Sequence, residues 1–248
     1  MLENELAAVC KKMRLSANLA MMAQVIEADS HPEFLLKLLT QEAELRDHMR
    51  KEKRIKDAGF YSIKTTDGFD PAGITFPSGV SIENLLFCDY VRTCTNIVMY
   101  GGIGTGKTHL SIALGVAACN SGFKVKFFKT AALINQLSEH KAEGTLSGYL
   151  KKIEASDLLI LDEFGYIPYD RNGSRLLFEI VSDCYEHKSV ILNTNHEFSD
   201  WANILLDEQM AVAMIDRLLH HCHLLVFSGP GGRLRFSSIP EDYRNAAS

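Results

Sequence analysis

Residues 101–108 read Gly-Gly-Ile-Gly-Thr-Gly-Lys-Thr, and the apolar run Asn96-Ile97-Val98-Met99-Tyr100 leads into them. A strand running into G-x-x-x-x-G-K-T is a phosphate-binding loop. Each residue type has a physical job there. Gly101, Gly104 and Gly106 let the backbone bend closely, so successive N–H groups can face phosphate oxygens. Lys107 sets a cation beside the outer phosphates, and the Thr108 hydroxyl is an oxygen ligand for Mg2+. A helix expected over 109–120 aims the positive end of its dipole at the same place. The nucleotide-binding set is therefore Gly101, Gly102, Ile103, Gly104, Thr105, Gly106, Lys107, Thr108 and His109, with ATP and Mg2+ as the expected ligands.

The sequence Leu158-Leu159-Ile160-Leu161-Asp162-Glu163 supplies a second half. An apolar strand ending in two acids suits a nucleotide site. Asp162 would hold the Mg2+, usually through water, and Glu163 would orient or deprotonate the attacking water. A carboxylate aimed at water points to hydrolysis, and no acceptor pocket for a small-molecule kinase is evident in the sequence. Two further residues carry open readings. Asn195, just after the strand Ser189–Asn193, either positions the lytic water or caps a local turn. Arg217, in Met214-Ile215-Asp216-Arg217-Leu218-Leu219, either reaches a neighbouring subunit's nucleotide or is a surface arginine paired with an acid. The run His220-His221-Cys222-His223 invites a metal, but four adjacent ligands rarely converge on one ion. It reads as a helix end entering a strand.

These residues need a scaffold, and the surrounding pattern provides one. Short apolar runs at 96–100, 124–128, 157–161, 189–193 and 223–227 alternate with helical stretches. That predicts a buried parallel sheet with helices on both faces. Residues 1–63 read as a helical domain. Leu2, Leu6, Val9 and Met13 share one face, as do Leu19, Met22 and Ile26, and Ser30-His31-Pro32-Glu33 is a capping box opening a helix through Phe34, Leu35, Leu38 and Leu39. That helix ends in Arg46, Arg50, Lys51, Lys53, Arg54 and Lys56, either a solvated helix end or a patch for phosphates or an acidic partner. Turn formers over 64–81 read as a linker, leaving 82–248 for the nucleotide-binding domain.

Of 248 residues, 46% are hydrophobic, which excludes global disorder, and the net charge of −5 excludes a chain that is basic throughout. DNA contacts would have to come from local patches. The six cysteines form no C-x-x-C pair, and Met-Leu-Glu-Asn-Glu-Leu has neither basic nor apolar leader character. A soluble, cytoplasmic protein is expected.

The stretches Gly-Thr-Gly-Lys-Thr-His-Leu (104–110), Asp-Glu-Phe-Gly-Tyr-Ile-Pro (162–168), Thr-Asn-His-Glu-Phe-Ser-Asp-Trp (194–201) and Asp-Arg-Leu-Leu-His-His (216–221) together resemble the IstB family of insertion-sequence ATPases. More distantly the chain is similar to the DnaC helicase loader and the DnaA initiator, all of the AAA+ superfamily. The resemblance implies an AAA+ αβα core with a five-stranded parallel sheet in the order 5-1-4-3-2. It also implies Asn195 as a sensor and Arg217 as an arginine acting in trans. It further implies self-association with ATP at subunit interfaces, binding of double-stranded DNA with little sequence preference, recruitment of a transposase, and location on the nucleoid when DNA is bound. Lys141, Lys151 and Lys152 are candidates for the DNA contacts. A DnaC-like helicase-loading adaptor is the alternative. Two departures stand out. Gly102-Ile103 replaces a frequent Pro-Pro, and Gly231-Gly232-Arg233-Leu234-Arg235 replaces a usual Ser-Tyr-Arg-Leu-Arg, so no role is assigned to Arg233 or Arg235.

Overall fold

Three helices build the amino-terminal part: α1 (Leu2–Lys12), α2 (Leu19–Val25) and α3 (His31–Ala58). The structure is a computed structural model that describes residues 2–16, 18–167 and 169–228, so Arg233 and Arg235 lie outside the described residues. The chain divides into two compact units between Lys53 and Arg54, inside α3 rather than near residue 63. The first unit has a small core of Cys10, Leu19 and Leu38, with Leu6, Leu15, Met22, Ile26 and Phe34 against it. The expected face of α1 is only partly right. Val9 and Met13 are exposed, and Cys10 turns inward instead. The capping box forms one residue out of register: Glu33 N–H donates to Ser30 Oγ, while the Glu33 carboxylate accepts from Asp29 N–H. In the basic run, Arg46 is held by Glu42 and donates to Arg14 O, and Arg50 pairs with Asp47, whereas Lys51 and Lys53 are exposed.

The second unit is built on a sheet of β1 (Ile74–Thr75), β2 (Asn96–Gly101), β3 (Val125–Lys129), β4 (Leu158–Phe164), β5 (Ser189–Thr194) and β6 (Cys222–Phe227). The order is β1-β6-β2-β5-β4-β3. The five strands β2 to β6 are parallel and run in the expected order. The sheet differs from expectation in having a sixth strand, β1, paired antiparallel to β6 with Ile74 opposite Phe227. It comes from the stretch expected to be a linker. A two-residue strand is too short for alternation to reveal it. It exists because Gly73 O accepts from Ser228 N–H at 2.7 Å and Ile74 packs on the core.

Helices α4 (Ile82–Leu86), α5 (Asp89–Arg92), α6 (Lys107–Asn120), α7 (Thr130–Ala142), α8 (Leu146–Glu154), α9 (Arg171–Cys184), α10 (Trp201–Leu205) and α11 (Glu208–Leu219) complete the unit. Alternation along a strand sends successive side chains to opposite faces. In β4, Leu158 and Ile160 join a core with Leu110, Ile112 and Leu114 of α6. Leu159 and Leu161 join the opposite core with Leu133 of α7, Leu177 of α9 and Met214 of α11. The result is a three-layer αβα sandwich. Asp207 caps α11 by accepting from Met210 N–H at 2.8 Å, and Asp170 caps α9 from Gly173 N–H. Among the described residues no helix is long and apolar enough to cross a membrane.

Candidate active site

The carboxyl ends of the central strands β2, β4 and β5 converge, the usual ligand position of an open α/β sheet. β2 runs straight into the glycine loop, and α6 starts at Lys107. Two glycines are structurally required. Gly101 has φ 149°, and a Cβ there would stand 2.2 Å from Phe227 O on β6. Gly106, with φ 105°, is the left-handed residue that turns the loop into α6, and Phe69 packs over it. Lys107 Nζ donates to Gly101 O and Gly102 O, both at 2.6 Å. Burial pulls its pKa down to about 8, against the opposing pull of Asp162. His109 faces the preceding segment: its ring nitrogen lies 2.7 Å from Thr65 O, and Phe69 packs 5.1 Å from its ring.

Asp162 is the centre of the polar network. It is buried, and its Oδ1 accepts from Thr108 Oγ1 at 2.9 Å and from Asn193 Nδ2 at 2.8 Å. Asn193 also donates to Ser111 Oγ of α6, and Thr130 Oγ1 holds Asp162 O. Asp162 Oδ2 is buried without a hydrogen bond. A buried carboxylate oxygen left without a donor, beside a threonine hydroxyl, is a hard oxygen donor set. Thr108 and Asp162 therefore fit Mg2+.

The neighbouring acid differs in every respect. Glu163 has left-handed backbone, φ 57°, where the β4–β5 register breaks between Leu161 and Phe164. The bulge turns its side chain out of the ladder. Its carboxylate accepts from Lys129 Nζ at 3.0 Å, both side chains about half exposed. That bond raises the Lys129 pKa, and Tyr61 lies 6.0 Å from the same ammonium.

The remaining expected residues are placed as follows. Asn195 is half-buried just past β5, and the turn there is capped by Thr194, whose Oγ1 accepts from His196 N–H. Arg217 lies far from its own loop. Its carbonyl and that of Leu218 accept from Asn96 Nδ2 at the start of β2, while the glycine loop leaves the other end. Five strand residues separate the two, roughly 16 Å at 3.3 Å per residue. The guanidinium sits over the Phe178 ring at 5.0 Å and donates to Ala213 O, beside a groove of about 620 Å³ lined by Glu208, Gln209, Val212 and Asp216. Lys141 donates to Asn172, and Lys151 and Lys152 are exposed on α8. Sequence reasoning missed Asn193 and Lys129. The apolar context of Asn193 was a signal, since a buried amide in a strand must find partners.

The strand–loop–helix and the Thr108–Asp162 pair define a P-loop nucleotide-binding protein with a three-layer αβα core. The sequence pattern of the family described as IstB-like ATP binding protein matches residues 8–239, and the chain belongs to that family. It is 37% identical over 209 residues to the insertion sequence IS21 putative ATP-binding protein of Pseudomonas aeruginosa, covering 83% of this chain and 78% of that one. It is 35% identical over 213 residues to the insertion sequence IS5376 putative ATP-binding protein of Geobacillus stearothermophilus, covering 86% and 85%. The fold resembles the DnaC helicase loader, with TM-score 0.54 and 24% identity over 71% of this chain and 99% of that one. It also resembles the replication initiator DnaA bound to AMPPCP and single-stranded DNA, with TM-score 0.53 and 18% identity over 73% and 58%.

Proposed function

We propose that this protein is an ATP-hydrolysing helper of DNA transposition that assembles on double-stranded DNA with ATP and recruits or stimulates a transposase. In the proposed reaction Glu163 accepts a proton from a water that attacks the γ-phosphorus, giving ADP and phosphate. Lys107 and the loop N–H groups hold the phosphates. Mg2+ on Thr108 and Asp162 would supply charge neutralisation at the β- and γ-phosphates. Asn195 would orient the water. Glu163 must leave Lys129 to act, because the carboxylate oxygen that would take the water's proton is held by the ammonium.

The observation that carries the assembly reading is the place of Arg217. It lies at the opposite end of the sheet from its own loop, so a catalytic arginine at that position acts only on another subunit's nucleotide. The relatives' association with insertion sequences supports the transposition role. Lys141, Lys151 and Lys152 are proposed to meet the phosphate backbone, which gives affinity without sequence preference and a strong salt dependence. ATPase rate with and without duplex DNA, at low and high salt, with particle size measured alongside, tests the reading. Duplex should stimulate turnover and enlarge the particle at low salt only. Mixing Arg217→Ala with Lys107→Ala subunits should restore part of the activity each lacks alone. No rescue in such mixtures would sink the trans role.

A further inference from the structure

The run His220-His221-Cys222-His223 gains a partner that is distant in sequence. Glu186, in the turn between α9 and β5, brings its carboxylate to the point where α11 ends and β6 begins. One ligand atom each from Glu186, His220 and His221 lie within 4.8 Å of one another. Cys222 and His223 have already entered the strand and take no part. We propose that Glu186, His220 and His221 form a surface site for a borderline divalent transition ion of the Zn2+ or Co2+ type, which pins the end of α11 to the α9–β5 turn.

Five features support this. The donor set is two imidazoles and one carboxylate, which suits Zn2+ or Co2+ with a water completing the coordination, and does not suit Mg2+ or Ca2+. Tetrahedral ligands about 2.0–2.1 Å from zinc stand roughly 3.4 Å apart, so exposed side chains need only a small rotamer change to close on an ion. The His220 ring is already oriented. Its Nδ1 lies 3.0 Å from Tyr185 Oη, leaving Nε2 for the metal, with Nδ1–H then donating to the tyrosine. The His221 ring lies 4.3 Å from it, centroid to centroid. Glu186 itself holds a left-handed φ of 59°, which a glycine or asparagine would adopt more easily. Finally, His220 caps the carboxyl end of a 12-residue helix, where the dipole favours a cation. Arg217 stands one turn earlier on that helix, so occupancy would stiffen the element that carries it.

The site is tested on the full-length chain, reduced and titrated with Co2+. The expected result is one equivalent bound with the intense visible ligand-field bands of a four-coordinate ion, displaced by Zn2+, and without the sulfur-to-cobalt charge-transfer band that cysteine ligation would add. Glu186→Gln and His221→Ala should each weaken Co2+ binding about tenfold or more, while His31→Ala, an exposed histidine of α3, leaves it unchanged. Zn2+ should raise the melting temperature of the unaltered chain and not of the Glu186→Gln, His221→Ala double variant. Equal Co2+ uptake and equal spectra in the unaltered chain and the double variant would overturn the proposal, as would a thiolate charge-transfer band in the bound form.

Discussion

The two ends of the sheet are built by opposite rules. At the carboxyl ends, Asp162 is enclosed and tied to Thr108 and Asn193, with its main chain held by Thr130. At the amino ends, Glu186, His220 and His221 are exposed, and Arg217 rests on the half-buried Phe178. A buried polar network fixes geometry before a ligand arrives, because each member would be costly to leave unpaired. An exposed group is fixed by what comes to it. The difference teaches that one end is preorganised for nucleotide, whereas the exposed groups at the other, on the readings proposed above, are completed by a second subunit or an ion.

The strongest way to break this contrast is at Glu163. Glu163→Gln should keep ATP affinity and lose turnover by roughly 10²–10⁴-fold, since the proposed general base is removed while the phosphate-binding residues stay in place. Single-turnover hydrolysis measures it, and normal hydrolysis in this variant would falsify the assignment. Lys107→Ala should weaken ATP binding by roughly a hundredfold or more, read by nucleotide titration, because the charge-assisted contact to phosphate disappears.

Acidity gives a third cut. Burial pulls the Lys107 pKa down to about 8 in the free protein, and bound phosphates, which favour the charged ammonium, would raise it. Between those two values binding takes up a proton, so affinity is full at pH 7 and falls as pH rises, roughly tenfold by pH 9. A flat profile in calorimetric ATP titrations over that range would remove the buried lysine from the account.

Asn193→Ala probes enclosure itself. It strips Asp162 and Ser111 of a shared donor, and should cost about 1–3 kcal/mol of stability in urea unfolding. Mg2+-dependent ATP affinity should fall with it, whereas Mg2+-free binding should not. The smallest effect is expected at Lys129→Met. Freeing Glu163 from its ammonium partner should raise DNA-independent turnover a few-fold, and a drop would mean that Lys129 positions the base instead.

How much of this could be read from the chain follows from where each constraint lies. The loop, Asp162 and the five parallel strands are written in contiguous residues, so spacing exposed them. Asn193 and Lys129 meet Asp162 and Glu163 only through the register between adjacent strands, which no local pattern states. The strand β1 depends on two backbone hydrogen-bonding partners at the sheet edge, and turn chemistry hid it. The bulge that gives Glu163 its left-handed backbone has no glycine to announce it. The misread face of α1 has another cause. In so small a unit three helices cover little surface, so Val9 and Met13 stay outside despite their spacing.

One residue gives the molecule an optical reporter. Trp201 is the chain's single tryptophan; it is fully enclosed, with its ring 4.3 Å from that of Phe164, the residue directly after Glu163. Its indole N–H makes no hydrogen bond. Such an indole emits at short wavelength, and a rearrangement of the strand end that shifts Phe164 would change its surroundings. On the proposed reaction, in which Glu163 leaves Lys129, the colour and intensity of the protein's own fluorescence should shift, without a label, when the phosphate loop fills.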